Sequence, residues 1–135
     1  MSERKLTIAI MDAPYESANT TTAFRIVAAA LKKGIHVNVF AYEGAVSLAS
    51  ADQQPHANPV KGTSVEEEDH PMTKNFIASL LELGREKLFL TWVNCGLCVD
   101  ERGAINAIEG VKRGSPADFL KMAMESTNTL VIPTK

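Results

Sequence analysis

The sequence predicts an α/β domain: a mostly parallel sheet of four to five strands covered by helices. Short apolar runs alternate with stretches whose apolar residues recur at helical spacing. The first three elements read strand, helix, strand, a βαβ unit that calls for a parallel pair and a right-handed crossover. The chain has 135 residues, 45% of them hydrophobic and 22% charged. That suits one ordered domain over 1–135 and argues against global disorder.

Lys5–Met11 is an apolar run suited to a buried strand, and Asp12-Ala13-Pro14 breaks it. Ala23, Phe24, Ile26, Val27, Ala30 and Leu31 then mark one face of a helix. Ser17, Asn19 and Thr20 are candidate caps for its start, and Gly34 fits the position just past its end. Ile35–Tyr42 is the second strand. Ala51–Pro71 reads as a long loop or insertion, and its acidic run Glu66-Glu67-Glu68-Asp69 as a solvated surface. Met72, Phe76, Ile77, Leu80 and Leu81 mark a second long helix, starting near Asp69 or Thr73 and ending near Gly84. Leu88–Val93 is the third strand, and Cys95–Arg102 a short helix ended by Gly103. Ser115-Pro116-Ala117-Asp118 carries the cap, proline and acid of a helix start, with Phe119, Leu120, Ala123 and Met124 as its buried face. Leu130–Ile132 is the last strand.

Charge excludes several functions. Fourteen Lys and Arg against 16 Asp and Glu leave a net charge of −2, with no basic cluster, so nucleic acid is not an expected partner. No apolar run approaches the roughly 18 residues that cross a membrane. The apolar stretch after Arg4 and Lys5 is too short for an export signal, so the cytoplasm is the expected compartment.

The chemistry is expected in Asn94-Cys95-Gly96-Leu97-Cys98-Val99-Asp100-Glu101-Arg102-Gly103. Cys95 follows a parallel strand, at the sheet edge where open α/β folds place their ligands. A helix starting there favours a thiolate, through its free N–H groups and dipole. Gly96 leaves room for another molecule to approach, and Arg102 is a permanent cation two turns on. Four readings compete: two inert half-buried cysteines, a zinc site, a dithiol oxidoreductase, and a persulfide carrier. Zinc fits poorly, because four ligands are needed and His36, His56 and His70 lack ligand spacing. No metal is therefore expected.

Taken whole, the chain resembles the DsrE/DsrF/TusD-like sulfur-relay family. The resemblance rests on the opening strand into Asp12-Ala13-Pro14, on Val37 to Val46, on Cys95-Gly96-Leu97-Cys98 with Arg102-Gly103, and on Gly110 to Ser115 followed by a helix and Leu130-Val131-Ile132. It implies a DsrE-like, flavodoxin-like three-layer sandwich. It also implies a homo-oligomer (trimer or hexamer) or a hetero-oligomer with related subunits, exchanging sulfur with donor and acceptor proteins. By position relative to Arg102-Gly103, Cys95 matches the sulfur-carrying cysteine. Cys98 is an additional thiol, placed to resolve a persulfide into a disulfide. A non-catalytic assembly subunit is the alternative outside sulfur and redox chemistry.

Several residues support this site. Asn94 either contacts a sulfur anion or simply ends the strand. Tyr42 and Glu43 fall at the same sheet edge as Cys95, and Glu43 is a candidate proton acceptor for the thiol. Trp92 is expected in the core. The hydroxyl-rich turn Ser17 to Thr22 lacks the glycine of a phosphate loop, so no flavin or other cofactor is expected.

Overall fold

The structure is a computed structural model that describes residues 4–55, 57, 60, 62–68, 72–85 and 89–134. Five strands, β1 (Lys5–Ile10), β2 (His36–Ala41), β3 (Leu90–Cys95), β4 (Val111–Gly114) and β5 (Asn128–Ile132), form one sheet in the order β4-β3-β2-β1-β5. All four pairings are parallel. The helices are α1 (Asn19–Lys32), α2 (Val65–Glu68), α3 (Thr73–Arg85), α4 (Gly96–Arg102) and α5 (Pro116–Glu125), with a 3-10 helix at Glu43–Ala49.

Strand side chains alternate between two covered faces, which makes three layers. One face, with Ile8, Val39 and Trp92, packs on Phe24 and Val27 of α1 and on Ile77 and Leu80 of α3. Trp92 is fully buried there, as its sequence context predicts. On the other face Phe40 and Val93 meet Phe119 and Met122 of α5, alongside Cys95, Cys98 and Val99. The Phe40 and Phe119 rings stack at 5.3 Å between centroids. The cysteines thus belong to the smaller of two cores.

Gly34 lies at φ 76° just past α1. Its N–H bonds the Leu31 carbonyl, and the Ile35 N–H bonds that of Ala30. This closes the helix in the way that favours glycine. The start of α5 also follows the sequence: Asp118 Oδ2 accepts the Ser115 N–H at 2.8 Å.

Other boundaries differ from expectation. The residue capping α1 is Ala18. Ser17 Oγ instead donates to Asp12 and accepts the Asn19 N–H. Strand β3 runs to Cys95 rather than Val93, while Leu88, Asp69 and Pro71 lie outside the described residues. Within 51–71 the described residues include α2, where Glu66 and Glu67 are exposed. The 3-10 helix and β4 were not expected as elements. On α5 the spacing of apolar residues is right, and of the expected face Phe119 and Ala123 hold while Leu120 and Met124 do not. Leu120 and Met124 are 60% and 78% exposed, whereas Phe119, Met122 and Ala123 turn toward the sheet.

Helix α3 ends at Arg85, next to Gly84 as expected, and Gly84 is there for a packing reason. A Cβ at this position would come within 2.7 Å of Leu90 Cβ. Replacing a helical glycine with alanine ordinarily stabilises by about 1 kcal/mol. Here the overlap reverses the sign, and Gly84→Ala is predicted to destabilise by about 1–3 kcal/mol in urea unfolding. A stabilised variant would contradict this packing.

Candidate active site

Cys95 is at once the last residue of β3 and the N-cap of α4. No loop separates the two elements. The register fixes its surroundings: Cys95 lies opposite Gly114, and Asn94 opposite Ala41. Tyr42 and Glu43, which follow Ala41, therefore stand at the same sheet edge, as a parallel sheet requires. Cys95 is 2% exposed and Cys98 5%. Neither is in a disulfide. A reactant reaches them only when the surrounding side chains give way.

Cys98 faces Cys95 across the first turn of α4. Burial raises its thiol pKa above the ordinary value, and its hydrogen bond to Cys95 adds to the rise. The Glu43 N–H, which donates to Cys98 Sγ at 3.3 Å, acts in the opposite direction. The nearby phenol of Tyr42 is also raised, mainly by Cys98 and next by Glu43. Burial and the neighbouring Cys95 thus favour the thiol form of Cys98 over the thiolate. Glu43 delivers its N–H from a left-handed backbone, φ 53°. For a non-glycine residue this is a strained conformation, of the kind that collects at functional sites. Gly44 allows the turn to approach β1, since a Cβ there would lie 2.9 Å from Ala13 Cβ.

The cations are arranged differently from expectation. Arg102 does not serve the cysteines directly: its Nη2 bonds Glu43 Oε2 at 3.0 Å. The Glu43 carboxylate is thus paired with Arg102, and the contact Glu43 makes with sulfur is through its backbone N–H. The cation near Cys95 is Arg113, which sequence reasoning missed. Its guanidinium forks onto Asp100 at 2.9 and 2.6 Å. It also lies against Gly96, where a Cβ would come within 2.7 Å of Arg113 Nε. Gly96 therefore makes room for an arginine of the protein itself. Asp100 is held below the usual carboxylate range, chiefly by its hydrogen bonds from Arg113. Arg113 is raised mainly by Asp100, with Cys95 contributing.

Asn94 is 2% exposed, and its Nδ2 donates to the Val46 carbonyl at 3.4 Å. Its Oδ1 has no hydrogen-bond partner among the described residues. It ties the strand end to the 3-10 helix. Beside the thiol pair, a cleft of about 720 Å³ opens at the ends of β1 and β2, lined by Asp12, Glu16, Tyr42, Glu43 and Arg102 among others. Among the described residues, no three His, Cys, Asp or Glu side chains converge as a metal site, and no helix is long and apolar enough to cross a membrane. His56 and His70 lie outside the described residues.

Comparison with known proteins adds three kinds of finding. The model of the DsrE/DsrF-like family matches residues 4–132. An uncharacterised protein of Methanocaldococcus jannaschii is 29% identical over 93% of this chain and 97% of its own length. Another, from Methanopyrus kandleri, is 28% identical over 93% and 91%. Among solved structures, the ychN protein of E. coli superposes with a TM-score of 0.67 at 19% identity, covering 96% of this chain and 99% of that one. A conserved protein of unknown function from Bacteroides thetaiotaomicron gives 0.62 at 15%, covering 94% and 92%. At these identities the structural likenesses establish the fold alone.

The state of Cys98 is open to measurement. In a Cys95→Ser variant burial, the larger cause of its raised pKa, persists. Iodoacetamide labelling of Cys98 should then rise with a midpoint above the ordinary thiol value of about 8.5. A midpoint at or below that value would show that the thiol is not held protonated.

Proposed function

Because the chain belongs to the DsrE/DsrF-like family, we propose that it carries sulfane sulfur as a persulfide on Cys95. One observation supports this most strongly: a second thiol hydrogen-bonds Cys95, and an arginine fixed by a carboxylate lies close by. Both groups stabilise negative charge on sulfur. The N–H groups of the first turn of α4 act in the same direction.

Carriage runs by exchange. The Cys95 thiolate attacks the outer sulfur of a donor persulfide, R–S–SH. The donor S–S bond breaks, R–S⁻ departs and Cys95–S–SH remains. An acceptor thiolate then takes the outer sulfur and returns Cys95 as a thiolate. The donor and acceptor reach the site at the sheet edge, and the expected compartment is the reducing cytoplasm.

The second reading is a dithiol oxidoreductase, favoured by the contact between the two cysteines. In that route the Cys98 thiolate attacks the inner sulfur of Cys95–S–SH. HS⁻ leaves and a Cys95–Cys98 disulfide forms. The raised pKa of Cys98 slows this step at neutral pH, because only the thiolate attacks. The site therefore favours holding sulfur over expelling it as sulfide.

Self-association fits the exposed apolar side chains. Leu120 and Met124 project from α5, while Leu130 and Val131 are 38% and 52% exposed on the edge strand β5. An apolar edge strand is a ready surface for a second chain. We infer a homo-oligomer or a complex with related subunits.

Intact-protein mass after incubation with a sulfane-sulfur donor decides between the two chemistries. A gain of roughly 32 Da, reversed by reductant and abolished by Cys95→Ser but retained in Cys98→Ser, is the predicted result. A loss of roughly 2 Da that needs both cysteines would establish the disulfide instead. No change with any donor would leave a non-catalytic assembly subunit as the better account.

A further inference from the structure

We infer that the cleft beside the thiol pair receives the sulfur donor as a small molecule, a persulfide of an aminothiol bearing both an ammonium and a carboxylate. The inference rests on the persulfide reading above and names the substrate class for that site.

Three observations carry it. The first is size and place. The cleft of about 720 Å³ lies at the C-terminal ends of parallel strands, within the range of small-molecule sites. A concavity of this volume has room for a compact ligand.

The second is contact with the reacting sulfurs. The Tyr42–Glu43 turn forms one wall of the cleft. On the other side of that wall, the Glu43 N–H holds Cys98 Sγ, and Cys98 holds Cys95. Glu43 thus lines the cleft with one part and holds Cys98 with its N–H, and its backbone is left-handed at φ 53°. A ligand that shifts Glu43 uncovers the thiol pair.

The third is charge. Asp12, Glu16 and Glu43 bring three carboxylates to the cleft, and Arg102 one guanidinium. Arg102 stands on Glu43 at the sulfur side and keeps further N–H donors. Asp12 is buried and takes hydrogen bonds from Ser17 and Asn19, which fix its orientation. A ligand carboxylate matches Arg102, and an ammonium matches Glu16. A carboxylate that shares Arg102 also loosens that residue's hold on Glu43, which couples binding to opening of the wall. Attack then proceeds as above: the Cys95 thiolate takes the outer sulfur, and the aminothiol leaves as its thiolate.

The test compares rates of the 32 Da gain from three donors: cysteine persulfide, the same persulfide with amine and carboxylate both blocked, and inorganic polysulfide. The wild-type protein should load from cysteine persulfide about tenfold faster than from the blocked form, the effect of losing charge-assisted hydrogen bonds. Glu16→Gln should bring that ratio toward one. Equal wild-type rates, or an unchanged ratio in Glu16→Gln, would overturn the inference. A separate binding measurement keeps it distinct from the persulfide reading. S-methylcysteine, which cannot transfer sulfur, should give a calorimetric binding signal with the Cys95→Ser, Cys98→Ser protein, and its doubly blocked derivative none. Absence of loading from every donor, polysulfide included, would defeat carriage on Cys95 while calorimetry still decides what the cleft binds. Absence of S-methylcysteine binding would defeat the cleft assignment.

Discussion

The site depends on one constraint: nothing separates strand β3 from helix α4. Cys95 must satisfy both elements, ending a parallel ladder and opening a helical turn. The ladder fixes where its sulfur lies, because Asn94 is held in register with Ala41 and Arg113 on either side and Cys95 with Gly114. The helix fixes the second thiol, because one turn brings Cys98 back to the same side. Two thiols are thus set against each other without a loop to loosen them. This is why a C-x-x-C pair at such a junction has meaning that the spacing alone lacks.

Around this pair the charged residues work in couples. Arg113 is oriented by Asp100, and Arg102 by Glu43. Both couples are partly exposed, so their worth lies in geometry more than in stability. One places a cation near Cys95, and the other closes the turn whose N–H reaches Cys98. The stability of the domain comes instead from the larger core around Phe24, Val39 and Trp92 on the opposite face. The site around the two thiols can therefore hold a strained residue without endangering the fold.

Much of this was legible in the sequence. Apolar runs located β1 and β2 because parallel strands are buried on both faces. Gly34 and Ser115-Pro116-Ala117-Asp118 marked helix ends because only a few residue types satisfy those backbone groups. What escaped depends on contacts between distant segments. Val111-Lys112-Arg113-Gly114 is too short and charged to announce an edge strand, yet its alignment with β3 selects Arg113 over Arg102 as the cation near Cys95. Helical spacing could not tell which apolar stripe of α5 faces the sheet, since Leu120 and Met124 fit the period as well as Phe119 and Met122 do. The burial of both thiols and the left-handed turn at Glu43 arise from tertiary packing, and no local residue pattern encodes them.

The most direct test is to locate the transferred sulfur. Crystals treated with a persulfide donor, measured at a wavelength where sulfur scatters anomalously, would show each sulfur atom as a separate peak. The account predicts one added peak bonded to Cys95 Sγ, with Cys98 Sγ left as a separate thiol. An added sulfur on Cys98 alone, or a direct bond between the two cysteines with no added atom, would contradict it.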